Sequence, residues 1–184
     1  LYSTFMLFFA LGSLIGTLFV PIIGKKLKNK ATLPKFAYIF GGILMIIIFF
    51  VDPKTNWTLL IILNFLAVIL TIGSSAMMYA MIPDCTEYAE HKTGIRAAGF
   101  ISAFITFLLK VGMAIGTSGI GFVLAAMGYH AGAVQTPSVL FGINLFNNLI
   151  PGILAIIGGS LFFAYKLDKD TYYKMLDEIK TVKA

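Results

Sequence analysis

The 184 residues include 59% hydrophobic and only 12% charged side chains, with a mean hydropathy of +0.92. A water-soluble domain of this size cannot hide so much apolar surface, and disorder is excluded by the same composition. The single cysteine, Cys85, rules out an internal disulfide framework, so the net charge of +6 is the remaining unusual feature.

Five apolar segments follow one another, at about Tyr2–Ile23, Pro34–Val51, Trp57–Met81, Ala97–Met127 and Val139–Tyr165. Each reaches the roughly 18–20 residues that cross a hydrocarbon core of about 30 Å. They lack the polar stripe of a helix at a protein surface. Spanning helices satisfy their own backbone in lipid. The sequence therefore predicts an all-α membrane protein, with a five-helix bundle over 1–165 and a tail over 166–184. The connections are KKLKNKATLPK, DPKTN, the charged stretch PDCTEYAEHKTGIR, and GYHAGAVQTP. In the tail, Tyr172, Leu176 and Ile179 recur at helical spacing. This pattern fits either a short amphipathic helix on the membrane face or a frayed, solvated end.

The charges sort by side. Lys25, Lys26, Lys28, Lys30, Lys35, Lys92, Arg96, Lys166, Lys169, Lys174, Lys180 and Lys183 share one side, and Lys54 lies on the other. The positive-inside rule makes the first side cytoplasmic, with the tail inside. This accounts for the basic balance without nucleic acid, for which no soluble module exists. Five spans then put residue 1 outside. Leu1 enters an apolar stretch directly, so the chain is expected to lack an N-terminal part.

Lys110 is the only charge deep inside a span. It lies about 21 Å along its helix from Arg96 and about 25 Å from Met127, near the bilayer midplane. An ammonium there costs at least ~2.5 kcal/mol and faces a cavity or a partner. All eight acids, Asp52, Asp84, Glu87, Glu90, Asp168, Asp170, Asp177 and Glu178, lie in connections, at helix ends or in the tail. Lys110 is therefore expected to line a polar cavity completed by absent helices or by a ligand; a charge pair with an absent helix is the structural alternative. Thr106 lies one turn earlier on the same face and could bind substrate or cation, or bond its own helix backbone. Gly112 and Gly116 form a small-xxx-small pair that favours helix packing. Gly73, Ser74 and Ser75 could line a pore or let helices touch.

Asp84, Glu87 and His91 sit at spacings of three and four. This arrangement matches no strong metal motif, so pairing across a moving interface is the preferred reading over a metal site or a solvated loop. Arg96 is expected to pair with Asp84, or with an acid in the missing half, when the inner side is closed. No HExxH, nucleophile elbow or Walker loop is present, so no enzyme is expected, nor any cofactor.

The stretch DCTEYAEHKTGIRAAGFISAFITFLLKVGMAIG resembles the glycoside–pentoside–hexuronide:cation symporters, sugar transporters of the major facilitator superfamily. Asp84, Glu87, Tyr88, Glu90, Lys92, Gly94 and Arg96 match the family's pattern between its tenth and eleventh helices. Lys110 with Gly112 matches its mid-helix lysine, and Val134–Ile143 matches the entry to its last helix. The resemblance implies helices eight to twelve of a twelve-helix fold, with helix seven and the N-terminal half absent. It implies a plasma-membrane symporter of sugar with H⁺, Na⁺ or Li⁺ working by alternating access. It places Lys110 and Thr106 near the sugar and cation, and Asp84, Glu87, Glu90 and Arg96 at a cytoplasmic gate. Some members carry an aromatic in the tenth helix near the sugar, whereas Gly73-Ser74-Ser75 has none. A major facilitator protein for a non-sugar substrate and a non-transport membrane subunit are the alternative functions.

Overall fold

The computed structural model describes the backbone of residues 2–53, 55–165 and 167–183, without the side chains of Tyr2, Lys25 and residues 179–183. Of the residues used above, Leu1, Lys54 and Lys166 lie outside the described residues, as do the side chains of Lys25, Ile179, Lys180 and Lys183. The order is α1 (Tyr2–Lys26), α2 (Thr32–Phe50), α3 (Trp57–Thr93), α4 (Ala98–Ala126), α5 (Pro137–Asn144), α6 (Ile150–Leu161) and α7 (Lys169–Lys183). A π turn, Leu145–Leu149, joins α5 to α6, and a 3₁₀ turn, Phe162–Ala164, follows α6. There is no strand among the described residues. Five helices are long and apolar enough to cross a membrane: α1, α2, α3, α4 and the composite Pro137–Ala164.

The charged stretch after Met81, expected as a connection, is helix. α3 has 37 residues, about 55 Å at 1.5 Å per residue, well beyond a bilayer core. Polarity marks where this helix leaves lipid, not where it ends. Residues 84–93 contain no glycine, and Pro83 removes only one N–H donor. The stop is Gly94, whose φ of +70° closes the last turn through its N–H to Glu90 O at 2.8 Å.

The fifth span starts where Thr136 accepts from the Val139 N–H, with Pro137 opening the helix. Its π turn precedes Pro151, which offers no N–H to residue 147 and crowds that carbonyl. There Asn144 Nδ2 donates to Phe49 O of α2 at 2.9 Å, and Asn148 Nδ2 donates to Asn144 Oδ1 at 2.8 Å. Neither asparagine stood out in the sequence.

α1, α2, α3 and α6 form one packed block. α1 meets α3 at Gly16 and Gly73, where an added Cβ would lie 2.6 Å from Ile69 O and from Gly16 O respectively. α2 meets α6 at Gly42 and Gly152, where a Cβ would lie 2.5 Å from Gly152 O and 2.9 Å from Gly42 O. Backbones approach this closely only without side chains between them. Ile48, Leu60 and Ala67 form the buried core between α2 and α3. α4 differs: none of its 29 residues is buried. Its Ile105 and Leu109 line a cavity of about 390 Å³ together with Ser75, Met78 and Ile82 of α3, and its C-terminal end meets the fifth span where Met127 lies under Gly142.

The tail is helical. α7 lies against α3 with Met175 only 4% exposed, so its apolar side seats on protein. Asp168 caps its start, accepting from Thr171 N at 2.8 Å.

Candidate functional site

Two groups of residues arise from this arrangement, one midway along α4 and one at the charged ends of α1, α3 and α7.

On α4, Thr106 and Lys110 are both exposed, one turn apart. Lys110 lies about 18 Å along the helix from Ala98 and about 24 Å from Ala126. No carboxylate lies within 4 Å of its Nζ among the described residues. Thr106 Oγ1 donates to Ser102 O at 2.8 Å, so its hydroxyl hydrogen is used within the helix while its lone pairs face outward. A Cβ built at Gly112, Gly116 or Gly121 would meet nothing within 4 Å among the described residues. The glycine pair that suggested packing thus borders an open face. The opposite happens in α3. Gly73 is buried against α1, Ser74 is fully buried, and Ser75 Oγ donates to Ile72 O at 2.6 Å. That stretch brings helices together.

At the charged end, Lys30 Nζ donates to both carboxylate oxygens of Asp84, at 2.9 and 2.7 Å. Asp84 is 4% exposed, and the Lys30 side chain is two-thirds covered. Desolvation makes the removal of either partner costly. In this structure Arg96 is beside Glu90 and not Asp84. Arg96 Nε lies 3.9 Å from Glu90 Oε2, beyond the helix stop, because Gly94 turns the chain away from Asp84. An exposed guanidinium at that distance contributes little. Glu87 accepts a hydrogen bond from the Tyr172 hydroxyl of α7. The Lys30 ammonium also sits 5.1 Å from the centre of the Tyr172 ring. Burial first, then the Glu87 hydrogen bond and charge, hold the Tyr172 phenol well above its ordinary range, so it remains a donor. His91 Nε2 faces Glu178 at 3.5 Å.

Asp84 and Glu87 are therefore joined in one polar cluster through Lys30 and Tyr172, Glu90 faces Arg96, and Lys110 and Thr106 stand apart on α4. Asp84, Glu87 and His91 each turn to a different partner. No group of three His, Cys, Asp or Glu that could hold a metal occurs among the described residues. Lys30 and Tyr172 are the participants that sequence reasoning missed. Lys30 is one lysine in a run of similar ones, and Tyr172 is an ordinary member of an amphipathic pattern.

A family model described as MFS/sugar transport protein matches residues 1–169. The uncharacterized symporter YnaJ of Bacillus subtilis is 33% identical over 92% of this chain and 37% of its own length. A putative sulfoquinovose importer of Salmonella typhimurium is 32% identical over 96% of this chain and 37% of its own length. The putative glycoside/cation symporter YagG of Escherichia coli is 28% identical over 84% of this chain and 33% of its own length. The chain thus spans little more than a third of these curated relatives. No solved structure matches it.

Proposed function

This chain belongs to the MFS/sugar transport protein family, and on that premise we propose that it is part of the C-terminal half of a cation-coupled symporter for a glycoside, pentoside or hexuronide. Its five membrane helices are helices eight to twelve of a twelve-helix fold. It lies in the plasma membrane with the tail in the cytoplasm, a sidedness supported by the segregation of Lys and Arg. The partners are the sugar, the coupling H⁺, Na⁺ or Li⁺, the bilayer and an N-terminal half that brings the cation-binding acids.

The observation that carries this reading is Lys110, a cation halfway along α4 on an open face, with no carboxylate beside it among the described residues. An ammonium at that depth needs oxygen ligands, and a sugar in a cavity between two halves supplies them. Lys110 Nζ donates to the sugar from α4, and the outward lone pairs of Thr106 accept beside it. The two halves rock about this site. The cation raises sugar affinity, and the sugar raises cation affinity by the same factor. Asp84, Glu87, Glu90 and Arg96 stand at the cytoplasmic mouth as gate charges.

The test is sugar accumulation in vesicles under an imposed ion gradient, using the full-length chain. Lys110→Met keeps most of the length and removes the charge. Accumulation is expected to fall at least about tenfold, the effect of losing a charge-assisted contact of ~1.5 kcal/mol or more. Lys110→Arg is also expected to be impaired, because a planar fork does not replace a compact ammonium. Wild-type accumulation by Lys110→Met at matched protein level would overturn the reading.

A further inference from the structure

α2 has 19 residues, about 28 Å at 1.5 Å per residue, and starts at the lysine-rich end of the bundle. Lys35 is its fourth residue, so its ammonium reaches the level where hydrocarbon gives way to headgroups. Gly159 brings the fifth span against α2 here: an added Cβ would lie 3.0 Å from Lys35 O and 2.9 Å from Ile39 Cγ1. One turn further, the Phe163 ring lies beside the ammonium. Lys35 Nζ is 4.4 Å from the centre of that ring and 4.8 Å from the centre of the Phe36 ring. Two rings thus fix where the charge sits. They leave donors over, because an ammonium carries three.

No carboxylate lies within 4 Å of Lys35 Nζ among the described residues. Its neighbours in the α1–α2 connection differ. Lys28 faces Asp170, and Lys30 holds Asp84. The first turn of α2 brings no acid of its own. Further into the membrane, Phe36, Phe40, Ile43 and Ile47 recur at spacings of four, three and four on one side of α2, each between 41% and 56% exposed. The rings of Phe36 and Phe40 stack, with centres 6.4 Å apart. From Phe36 to Ile47 the stripe covers about 16 Å, close to half of a hydrocarbon core of about 30 Å.

We infer that Lys35, Phe36 and Phe163 form a seat for an anionic phospholipid of the leaflet on the lysine-rich side. The phosphate takes the free donors of the ammonium, and an acyl chain lies along Phe40, Ile43 and Ile47. Charge selects this occupant, because a fixed cation without a carboxylate calls for an anion, and phosphate is the anion that headgroups supply at that depth. Length agrees with it, because the stripe is continuous with the apolar outer surface and covers one leaflet. The inference goes beyond the transporter reading and needs only the membrane setting.

The full-length chain in mild detergent is titrated with phosphatidylglycerol against phosphatidylcholine, and native mass spectrometry follows the lipid bound. Lys35→Gln is expected to weaken one phosphatidylglycerol site about fivefold, the share of one basic residue at an anionic surface. Lys26→Gln removes an exposed lysine of the same end that contacts no ring among the described residues, and is expected to change binding by less than about twofold. Phe163→Leu releases one ring and is expected to weaken binding about threefold. Lys35→Arg keeps both the charge and the stacking and is expected to retain the lipid. In vesicles of the same two lipids, a Phe40→p-benzoylphenylalanine variant of the full-length chain is irradiated. It is expected to yield a phosphatidylglycerol adduct on its own peptide, reduced about fivefold by Lys35→Gln.

Unchanged phosphatidylglycerol binding in Lys35→Gln overturns the seat. Equal losses from Lys35→Gln and Lys26→Gln overturn it too, because diffuse attraction to the basic end then accounts for the lipid. A cross-link from position 40 to another segment of the chain, or to a second copy, shows protein on the stripe and overturns it in the same way. Neither readout uses a sugar or an ion gradient, so the seat stands or falls separately from the transport reading.

Discussion

The α1–α3 contact and the α4 face use the same residue types to opposite ends. Gly16 and Gly73 let two backbones meet so closely that a methyl group at either would strike the other helix, whereas a methyl at Gly112 or Gly116 would meet nothing within 4 Å among the described residues. The charges repeat the contrast. Lys30 is two-thirds covered and holds Asp84 through both oxygens, while Lys110 is exposed with no carboxylate in reach among the described residues. A small residue or a lysine in a membrane helix therefore has no fixed meaning. What decides it is whether the facing position is filled.

The largest effect should come from breaking the filled side. In the full-length chain in detergent, Lys30→Ala leaves Asp84 buried and unpaired and is expected to cost about 3 kcal/mol, read from thermal or denaturant unfolding. Lys110→Ala is expected to change unfolding by less than about 0.5 kcal/mol. Equal losses from the two would erase the contrast between a structural and a functional lysine.

The glycines sharpen the comparison at smaller scale. Gly73→Ala should cost about 2 kcal/mol by forcing α1 and α3 apart. Gly112→Ala should leave unfolding unchanged or raise stability by up to about 1 kcal/mol through helix propensity. A cost at Gly112 matching that at Gly73 would show another helix seated on the α4 face.

The smallest effect concerns how α7 starts. The Thr171 hydroxyl, and then its backbone N–H, hold the Asp168 carboxyl below its usual range. A carboxyl lowered by folding stabilises the helix above its unfolded pKa and loses that contribution as pH falls through the folded value. The first turn of α7 should therefore fray more as pH drops below about 4, seen as faster amide exchange at Thr171 and Tyr172. Asp168→Asn keeps a cap but cannot titrate. Its exchange should lack that acid-dependent step, and an identical step in the variant would remove Asp168 as its source.

Much of the fold was legible because hydrophobic length is a local property. Five runs of apolar residues long enough for a bilayer mark five helices wherever their partners lie. Lys110 stood out for the same reason, as the single charge deep inside those runs. The end of α3 was misjudged because polarity reports the lipid boundary, while the backbone stops only at Gly94, twelve residues after Ile82.

Pairing is not local. Lys30 and Asp84 are 54 positions apart, and Glu87 and Tyr172 are 85 apart. Nothing in a row of similar lysines, or in an amphipathic tail, marks which member will make the contact. The sequence by itself determined that this is a multi-pass all-α membrane protein with a lone ammonium in mid-span, because burying charge and exposing backbone in lipid cost too much for other outcomes. Only the tertiary structure decided that Asp84 belongs to Lys30 and not to Arg96, that Gly73 packs while Gly112 stays open, and that the tail helix seats on Glu87. Those outcomes depend on which helix faces which, and helix-to-helix fit is set by contacts between residues distant along the chain.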